Sequence, residues 1–254
     1  MKVSAVIITL NEEINIARAL RSVAWADEVL VIDSGSTDRT VEIAESIGAR
    51  VIHRDWSGFS DQKQFGTDEA KHDWVVSLDA DEEVSPELRS EIASIGDLTK
   101  YAGFRIPRLS FYMGRAIRHS GWYPDLQLRL FDRRQARWNG AVIHESVSAT
   151  GPVGRLRSDI HHFSVENAAH HHRMIGERYA PLAAKQMFDA GRRTGPLRIA
   201  FAGPAAFIRS YILKLGFLDG LAGFVIARFA AHHAFLKHLI LHEIQKLGAP
   251  NSAE

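Results

Sequence analysis

Three aspartates in the first third of the sequence stand where a divalent cation could be held. Asp33 ends an apolar segment, Glu28–Asp33, and Asp79 and Asp81 follow another, Trp74–Leu78. If both segments are strands of one open parallel sheet, their carboxyl ends border the same crevice, where such sheets bind ligands. An Asp-x-Asp pair offers the carboxylate oxygens that Mg²⁺ and Mn²⁺ prefer, while water and phosphate complete the coordination. The alternative is a turn whose acidic residues only cap the next helix.

The elements that position these aspartates follow from the periodicity of the apolar residues. The predicted strands are Val3–Thr9, Glu28–Asp33, Arg50–His53 and Trp74–Leu78. Four helices separate or follow them: one with Ile14, Ala17, Leu20 and Val23 inward, one with Val41, Ala44 and Ile47 inward and Gly48 as its end, one at Gln62–Ala70 and one at Pro86–Ile95. Strands that are apolar on both faces and alternate with helices predict a parallel sheet covered by helices.

The pattern changes after Tyr101 to short strands broken by Gly and Pro, and after Asn167 to helices with a break at 192–196. The short strands, predicted to extend the sheet in an antiparallel sense, are Gly103–Pro107, Gln127–Asp132 and Ala141–Val147. The predicted organisation is a catalytic domain at 1–165, with a nucleotide-binding half at 1–100 and an acceptor-side half at 101–165, followed by a helical region at 166–254.

Charge is divided unevenly along the 254 residues, although the formal net charge is only +1. Residues 1–150 hold 18 Lys and Arg against 23 Asp and Glu, a net of −5, whereas residues 151–254 hold 13 against 7, a net of +6. The basic rear half could face nucleic acid, an anionic membrane or an acidic substrate. The chain has no cysteine, which excludes disulfides, zinc–thiolate sites and cysteine nucleophiles.

Three motifs in order resemble those of the family 2 glycosyltransferases: Ser4–Glu13, Val31–Asp38 and Leu78–Glu82. The chain is also similar over nearly its full length to the branch of β-glucosyltransferases that build the lipopolysaccharide core. The features shared with that branch are Gly121–Asp125, Leu128–Phe131, Trp138–Gly140, His144-Glu145 and Gly216–Gly220. The resemblance implies a GT-A fold, an α/β fold with a Rossmann-like, mostly parallel sheet that binds a nucleotide sugar, here with a helical C-terminal extension.

The same resemblance assigns roles around the donor nucleotide. The end of the first strand would lie against the base and ribose through Thr9, Asn11 and Glu12. Asp33 would accept a hydrogen bond from the uracil ring, and Asp79 would meet the ribose or the metal. Asp81 would hold Mg²⁺ or Mn²⁺ against the diphosphate, where the cation neutralises charge on the leaving group.

Lys63 lies where the family often places a basic residue near the phosphates, although its neighbour is Gln64 where the family usually has Asn. The alternative for Lys63 is a solvated helix residue. An inverting transfer also needs a general base for the acceptor hydroxyl. Glu145 and Asp125 are the two candidates, with Glu145 placed first, and His144 would ligate the metal, orient Glu145 or simply be hydrogen-bonded.

Two histidine clusters, His161-His162 and His170–His172, are further metal candidates. Adjacent positions on a helix diverge by about 100°, so consecutive imidazoles do not share one face. Ordinary structural histidines are therefore favoured, and His162 is the member expected nearest the active site.

The segment Ile199–Gln245 mixes cations with large apolar side chains. Its most apolar part, 199–227, has no charge-free run longer than ten residues, half of what a spanning helix needs. We therefore expect helices that lie on an anionic membrane surface, with a packed bundle or an oligomer contact as the alternative. This places the protein in the cytoplasm, peripheral to the cytoplasmic face of the inner membrane.

The sequence thus predicts an inverting, metal-dependent glycosyltransferase that moves a sugar, with glucose from UDP-glucose favoured, onto a lipid-linked saccharide such as lipopolysaccharide core. One alternative is a sugar-nucleotide pyrophosphorylase, but such enzymes open with a Gly-rich phosphate loop where this chain has Thr9–Glu13. Another is a non-catalytic basic adaptor for membrane or RNA, which leaves the acidic crevice unexplained. We expect no nucleic-acid partner, and the sequence sets no oligomeric state.

Overall fold

Val3–Thr9, which is rich in β-branched residues and buried along its whole length, forms the central strand of a parallel sheet. The computed structural model describes residues 2–140, 145–165 and 167–247. This strand, β1, pairs in parallel with β2 (Glu28–Asp33) on one side and with β4 (Trp74–Asp79) on the other, and β3 (Arg50–His53) pairs with β2. The order β3-β2-β1-β4 sets the carboxyl ends of three buried strands side by side.

The chain divides into two compact units, and the first carries the sheet. This unit comprises the chain up to Leu109 together with Pro124–Ser164. Its further elements are α1 (Ile16–Ser22), α2 (Thr40–Ser46), α3 (Phe59–Glu69), β5 (Glu82–Val84), α4 (Pro86–Ala93), a 3₁₀ turn (Leu98–Lys100), β6 (Gly103–Tyr112), β8 (Asp125–Asp132), β9 (Ala136–Trp138), β10 (Val147–Ala149), β11 (Val153–Arg155) and β12 (Ile160–His162).

Antiparallel strands extend the parallel half of the sheet. The order continues from β4 through β8, β6 and β12 to β5, with β8 antiparallel to both β4 and β6. β11 pairs in parallel with β6, and β9 and β10 form a separate hairpin pair. The predicted fold class, a Rossmann-like sheet with antiparallel additions and a helical C-terminal region, is confirmed.

Helix α3 lies unusually close to the sheet because it carries glycine at the point of contact. A Cβ atom on Gly66 would come within 2.5 Å of Val6 Cγ1 and 2.9 Å of Ile32 Cγ1. Any larger residue would push the helix outward. The close approach also places Lys63, almost one helical turn before Gly66, in the buried layer between α3 and the sheet.

The first helix corrects one sequence prediction. Ile14 was expected inward, but α1 begins only at Ile16 and the Ile14 side chain is 75% exposed. The buried face is formed by Ile16, Ala19, Leu20 and, just beyond the helix, Val23. Ile14 and Ala17, although three residues apart, therefore do not belong to the buried face of the helix. That face follows the 3.6-residue period counted from Ile16, two residues after Ile14.

The ends of β1, β2, β3, β4, α3 and α4 lie at their predicted positions or within three residues of them, and Gly48, with φ +91°, follows the end of α2. The strand predicted at Gly103–Pro107 is longer, and the one predicted at Gln127–Asp132 begins at Asp125. Of the strand predicted at Ala141–Val147, residues 141–144 lie outside the described residues, and β10 begins at Val147.

The second unit is built from helices, as predicted beyond Asn167. It comprises Ser110–Tyr123 and the chain from Val165 onwards. Its elements are residues 110–112 at the end of β6, β7 (Arg115–Ala116), which pairs with them, α5 (Ala168–Arg173), a π-helical segment (Met174–Tyr179), α6 (Ala180–Asp189), α7 (Pro196–Ile208), a second π-helical segment (Arg209–Leu213), a 3₁₀ turn (Gly216–Asp219) and α8 (Gly220–Leu247). The predicted break at 192–196 falls between α6 and α7. Residues 110–123 belong to this unit although they lie inside the predicted catalytic domain, and the functional division at 165 stays a prediction.

Glu28 ties the first three strands together at their amino ends. Its carboxylate accepts hydrogen bonds from Ser4 Oγ (2.6 Å), from the Lys71 backbone N–H (2.7 Å) and from Arg50 Nε (3.1 Å). Burial opposes ionisation of this 7%-exposed residue, but the hydrogen bonds and the Arg50 charge outweigh it and lower the pKa of Glu28 below its usual value.

The lowered pKa makes Glu28 a pH-dependent source of stability. In the unfolded chain Glu28 is protonated at about pH 4.3, whereas in the folded chain it is protonated only at lower pH. Its contribution to the free energy of unfolding is therefore present above about pH 4.3 and is lost as the pH falls below that value. Urea unfolding of Glu28→Gln and wild type should therefore show a large difference at pH 7 that narrows below about pH 4. The exposed Glu45→Gln is the matched control, and a Glu28→Gln difference that stays constant with pH would contradict the account.

Candidate active site

The loops after β1 and β2 are hydrogen-bonded to each other at the edge of the sheet where the carboxyl ends of the strands meet. Asn11, at φ +54°, donates its backbone N–H to Ser36 Oγ (2.9 Å), and its side-chain Oδ1 accepts the Thr37 N–H (2.8 Å). The Glu12 N–H donates to Thr40 Oγ1 (2.8 Å). Two of the three residues predicted to contact the base and ribose, Asn11 and Glu12, therefore lie in two loops that are hydrogen-bonded to each other.

Thr9, the third of these residues, ends β1 and is 5% exposed. Its hydroxyl has no hydrogen-bond partner among the residues that the structure describes. A buried hydroxyl without a partner costs free energy, so Thr9 is a position where a ligand's polar group would be stabilising.

Asp33, the predicted uracil acceptor, is already engaged by its own turn. Oδ2 accepts the backbone N–H groups of Gly35 (2.9 Å) and Ser36 (3.0 Å), and Oδ1 accepts the Ser36 hydroxyl. A carboxylate has about four acceptor positions, so room for a further donor remains on this 3%-exposed group. The strand register places Asp33 and Asp79 on either side of β1, about 10 Å apart at two strand spacings.

Lys63 lies at the centre of the charged residues of this unit. Its Nζ forms an ion pair with Asp79 Oδ1 at 2.9 Å and donates a hydrogen bond to Glu145 Oε1 at 3.1 Å. The side chain is 2% exposed, and its ammonium group lies 5.0 Å from the centre of the Trp138 ring. The alternative of a solvated helix residue is therefore wrong for Lys63.

Arg129 holds the opposite oxygen of Asp79. Its Nη2 lies 3.1 Å from Asp79 Oδ2 and 2.9 Å from Glu82 Oε1, and the residue is 4% exposed. Burial opposes ionisation of Asp79, but the charges of Lys63 and Arg129 outweigh it and hold the pKa of Asp79 well below its usual range. Each of the two carboxylate oxygens of Asp79 thus contacts a cation.

A β-bulge places Arg129 in this position. Along β6, Phe104 pairs with Leu130 and the next residue, Arg105, pairs with Leu128, so Arg129 has no partner on that strand. Bulges re-aim a side chain and are frequent next to active sites. Two N–H groups of Arg129, Nε and Nη1, are buried without a hydrogen-bond partner within the described ranges.

Arg108 extends the same set of charges to the second candidate base. Its Nη1 donates to Glu82 Oε1 (3.0 Å), while its Nε (2.9 Å) and Nη2 (2.7 Å) both reach Asp125 Oδ2. Asp125 Oδ1 accepts the Gln127 side-chain amide at 2.6 Å. Burial works against the charge of Arg108, but Glu82 and Asp125 outweigh it and raise the pKa of Arg108 above its ordinary value.

The contacts form one continuous chain of charges that alternate in sign. In order, the members are Glu145, Lys63, Asp79, Arg129, Glu82, Arg108 and Asp125. The two candidate bases are its two ends. Sequence reasoning missed Glu82, Arg108 and Arg129, although an arginine inside the apolar strand segment Leu128–Phe131 was itself a signal, because arginine is rarely buried unless it is paired.

Asp81 stands apart from this chain. It lies in the turn between β4 and β5, with Oδ2 3.3 Å from His162 Nε2, and its backbone oxygen accepts the Phe163 N–H (2.9 Å). His161, on the opposite side of β12, instead contacts Glu83 (Nδ1 to Oε1, 2.9 Å). The structure therefore places His162, and not its neighbour, beside the predicted metal ligand.

The donor set around Asp81 fits a cation that is only partly coordinated by protein. A carboxylate and an imidazole are both ordinary ligands for Mn²⁺, and Mg²⁺ commonly uses one or two carboxylates with waters and substrate phosphates. Within the described residues no group of three or more His, Asp or Glu side chains is arranged to hold a metal. His144, the other predicted ligand, lies outside the described residues.

One member of the second histidine cluster, His171, lies in the core of the second unit. His171 is 7% exposed, lies 3.2 Å from Tyr112 Oη through Nδ1, and stacks on Phe229 with ring centres 4.1 Å apart. Burial, with a smaller contribution from the charge of His170, lowers the pKa of His171 to about 4. His171 is thus neutral at pH 7, as expected of a structural histidine.

Residues 4–149 match the sequence profile of Glycosyl transferase family 2. The chain belongs to this family. A lipopolysaccharide core biosynthesis glycosyltransferase, LpsC of Rhizobium meliloti, is 30% identical over 99% of this chain and 96% of its own length. An uncharacterized glycosyltransferase of Rickettsia typhi, RT0209, is 32% identical over 96% and 87%.

Solved structures support the fold of this family 2 glycosyltransferase. Residues 1–349 of Staphylococcus aureus TarS superpose with a TM-score of 0.50 at 15% identity, covering 98% of this chain and 92% of that one. At this identity the likeness concerns the fold alone. Membership of the family sets aside the alternatives of a pyrophosphorylase and of a non-catalytic adaptor.

Removing the central cation tests the ion-pair chain. Lys63→Met keeps most of the side-chain volume but leaves Asp79 and Glu145 without a shared partner, and we expect the free energy of unfolding to fall by about 3–5 kcal/mol. Urea unfolding at pH 7 measures it, with Lys100→Met, 72% exposed, as the matched control. The double variant Lys63→Met/Glu145→Gln should be less destabilised than the single one. A loss below about 1 kcal/mol for Lys63→Met would be inconsistent with a buried, essential ion pair.

Proposed function

We propose that this glycosyltransferase transfers a hexose, with glucose favoured, from a uridine-diphosphate sugar to a lipid-linked saccharide, with inversion at the anomeric carbon and with Mg²⁺ or Mn²⁺ bound at Asp81. The observation that carries the proposal is the arrangement of charged residues at the strand ends, where Asp81 lies 3.3 Å from His162 while the neighbouring Asp79 is neutralised by two cations. The similarity to LpsC, a lipopolysaccharide core biosynthesis glycosyltransferase, supports a saccharide acceptor of the lipopolysaccharide core. TarS, whose fold is similar, was crystallised with UDP-GlcNAc, which supports a uridine-diphosphate donor.

Different residues of the site have different roles in binding the donor nucleotide. Thr9, Asn11 and Glu12 lie at the edge where the base and ribose are expected, and Asp33 keeps an acceptor position for the uracil ring. Asp81, with His162, would hold the metal. A bound divalent cation supplies positive charge for the diphosphate leaving group.

Asp79 has a different role in this proposal from the predicted one. Its two oxygens already face Lys63 and Arg129, so a divalent cation bound there would be repelled by both of these charges. We assign Asp79 to the positioning of Lys63, and through Lys63 to the positioning of Glu145. The predicted assignments of Asp79 to the ribose or the metal are the alternatives that a donor complex would reveal.

Glu145 is the better candidate for the general base, because its surroundings leave it an oxygen for the reaction. Among the described residues only Oε1 has a hydrogen-bond donor, Lys63 Nζ. Asp125 has both oxygens engaged, Oδ2 by Arg108 and Oδ1 by Gln127. Glu145 would take the proton of the acceptor hydroxyl as that oxygen attacks the sugar, and Asp125 would position the acceptor.

The metal assignment is tested by titrating UDP with and without Mn²⁺ in a calorimeter. Mn²⁺ should tighten UDP binding to the wild type, because an acidic crevice repels the diphosphate unless a cation is present. Asp81→Asn should lose this effect and lower the transfer rate at least about 100-fold. Glu83→Gln, two residues further along in β5 and paired with His161 and Arg18, is the control and should keep it. Equal UDP affinity for Asp81→Asn and wild type in Mn²⁺ would remove Asp81 from the metal site.

The base assignment is tested by two isosteric exchanges in a transfer assay over a panel of nucleotide sugars. Glu145→Gln should lower kcat by about 10²–10⁴ with UDP affinity unchanged, because it removes the proton acceptor and keeps the shape. Asp125→Asn should act more weakly and mainly through the KM of the acceptor. If Asp125→Asn is the inactive variant and Glu145→Gln is active, the two roles are reversed.

A further inference from the structure

Helix α7 in the second unit is apolar on the side that faces away from the rest of that unit. Its outward residues are Leu197, Phe201 and Ile208, which are 76%, 66% and 52% exposed. They recur at intervals of four and seven, so they form one stripe along the helix. A helix on the surface of a globular protein normally has polar residues on this side.

The turn between α7 and α8 continues this stripe. Leu213 is 71% exposed, and Leu221 at the start of α8 is 66% exposed. The neighbouring Ile212, Leu215, Phe217 and Leu218 are each 45–50% exposed. Exposed apolar residues that occur singly need no explanation, whereas a contiguous group marks a surface for a partner or a membrane. We call the exposed apolar residues of α7 and this turn the apolar tip.

The apolar tip rests on a well-packed support. A Cβ on Gly203 would come within 3.3 Å of the Ala231 carbonyl oxygen, so α7 lies close against α8. Phe207 and Tyr211 stack with ring centres 5.3 Å apart, and both also contact Phe224 of α8. The exposed side chains are therefore held outward by a fixed helix pair and are not left over from a loose segment.

Charge around the apolar tip has one sign. Between residues 190 and 242 the sequence has seven Lys and Arg and a single acid, Asp219. Asp219 is 3% exposed, accepts a hydrogen bond from the His119 backbone N–H (2.9 Å) and lies 2.9 Å from His119 Nδ1. Its charge is therefore engaged inside the unit and not displayed on the surface. The outward charges beside the tip are Arg198, Arg209, Lys214 and Arg228, all exposed.

We propose that the apolar tip docks on the interfacial region of an anionic lipid bilayer, with the side chains of α7 and the turn among the headgroups and the cations on the lipid phosphates. Apolar burial and attraction to anionic lipid then act together, which is the combination that holds interfacial helices. The proposal goes beyond the proposed sugar transfer and does not depend on it.

A second copy of the chain is the competing occupant, and the charges argue against it. An isologous contact would bring the same patch of both subunits together. Because the rim of the apolar tip carries cations and no exposed acid over residues 190–242, such a contact would place like charges opposite one another, which is unfavourable.

A membrane-spanning helix is the other alternative. Among the described residues, the stretch Gly216–Leu247 is long and apolar enough to cross a membrane by length and composition, with 28% of its most apolar window buried, although the sequence analysis expected no span. That stretch carries Arg228 and Lys237 and four histidines, groups that are costly inside hydrocarbon. His238 also contacts Thr194 Oγ1 (3.2 Å) within the unit. These features favour a helix that packs on its unit at the membrane surface.

The test is co-sedimentation of the full chain with vesicles of phosphatidylcholine alone and of phosphatidylcholine with phosphatidylglycerol. We expect binding to the anionic vesicles at low salt, weakened as salt rises because the cations are screened. Phe201→Ser/Leu213→Ser should weaken binding about tenfold or more, since two large apolar side chains lose their burial. Arg209→Glu/Lys214→Glu should weaken it by a similar factor.

Matched controls come from α6 of the same unit. Leu182→Ser removes an apolar side chain that is 40% exposed, and Lys185→Glu reverses a cation that is 70% exposed, and both should bind as the wild type does. Urea unfolding establishes that each variant is folded.

Three results would overturn the proposal. The first is no binding to anionic vesicles at low salt, or binding that neither double variant weakens. The second is a wild-type dimer in light scattering that Phe201→Ser/Leu213→Ser converts to a monomer, which would make the tip a contact between copies. The third is retention of the wild type in membranes after alkaline carbonate extraction, which would indicate a spanning helix. Release by carbonate together with anionic-vesicle binding would support the proposal.

Discussion

One buried ammonium group, that of Lys63, joins parts of the first unit that are far apart in sequence. It comes from α3, and it contacts Asp79 at the end of β4 and Glu145 in the segment that precedes β10. A lysine that is 2% exposed is tolerated only when its charge is matched by partners in good geometry. The place of this one group therefore depends on the close approach of α3 to the sheet, which Gly66 makes possible. Through the Lys63 contacts, the position of Glu145 is tied to the centre of the sheet.

The remaining charges follow from the same constraint. Asp79 has Lys63 on one of its oxygens, and the bulge in β8 supplies Arg129 for the other. Arg129 in turn shares Glu82 with Arg108, which holds Asp125. Each charged residue in this series neutralises its neighbours, so removing one changes the charge balance of the others. The two candidate bases, Glu145 and Asp125, lie at the two ends of the series.

The strand ends were predictable from sequence because apolar runs and their boundaries are local signals. Asp33, Asp79 and Asp81 could be placed at one edge of the sheet without knowing any contact. The burial of Lys63 had no local sequence signal, because its helix is mostly polar. Only the packing of α3 against the sheet through Gly66 shows which way the residue faces. The start of α1 was misjudged for a related reason, since Ile14 fits a helical spacing but precedes the helix.

Long-range charge pairing was the part that periodicity could not supply. Arg108 and Arg129 lie on two adjacent strands, and two of their partners, Glu82 on β5 and Asp79 on β4, are 26 to 50 residues away in sequence. The bulge that aims Arg129 is a matter of register between strands and leaves no mark in the composition of either. His162 was expected near the site from its place after a strand, but its partner, Asp81, emerged only from the pairing of β12 with β5.

In the proposed site, Lys63 and Arg129 keep their ion pairs with Asp79 while the metal binds at Asp81. This arrangement can be examined in a crystal structure with Mn²⁺ and UDP, with the cation located by anomalous scattering at the manganese edge. We expect the manganese on the Asp81 carboxylate, with the Lys63 contacts to Asp79 and Glu145 unchanged. Manganese bound to Asp79, with Lys63 displaced from it, would show that the assignment is wrong.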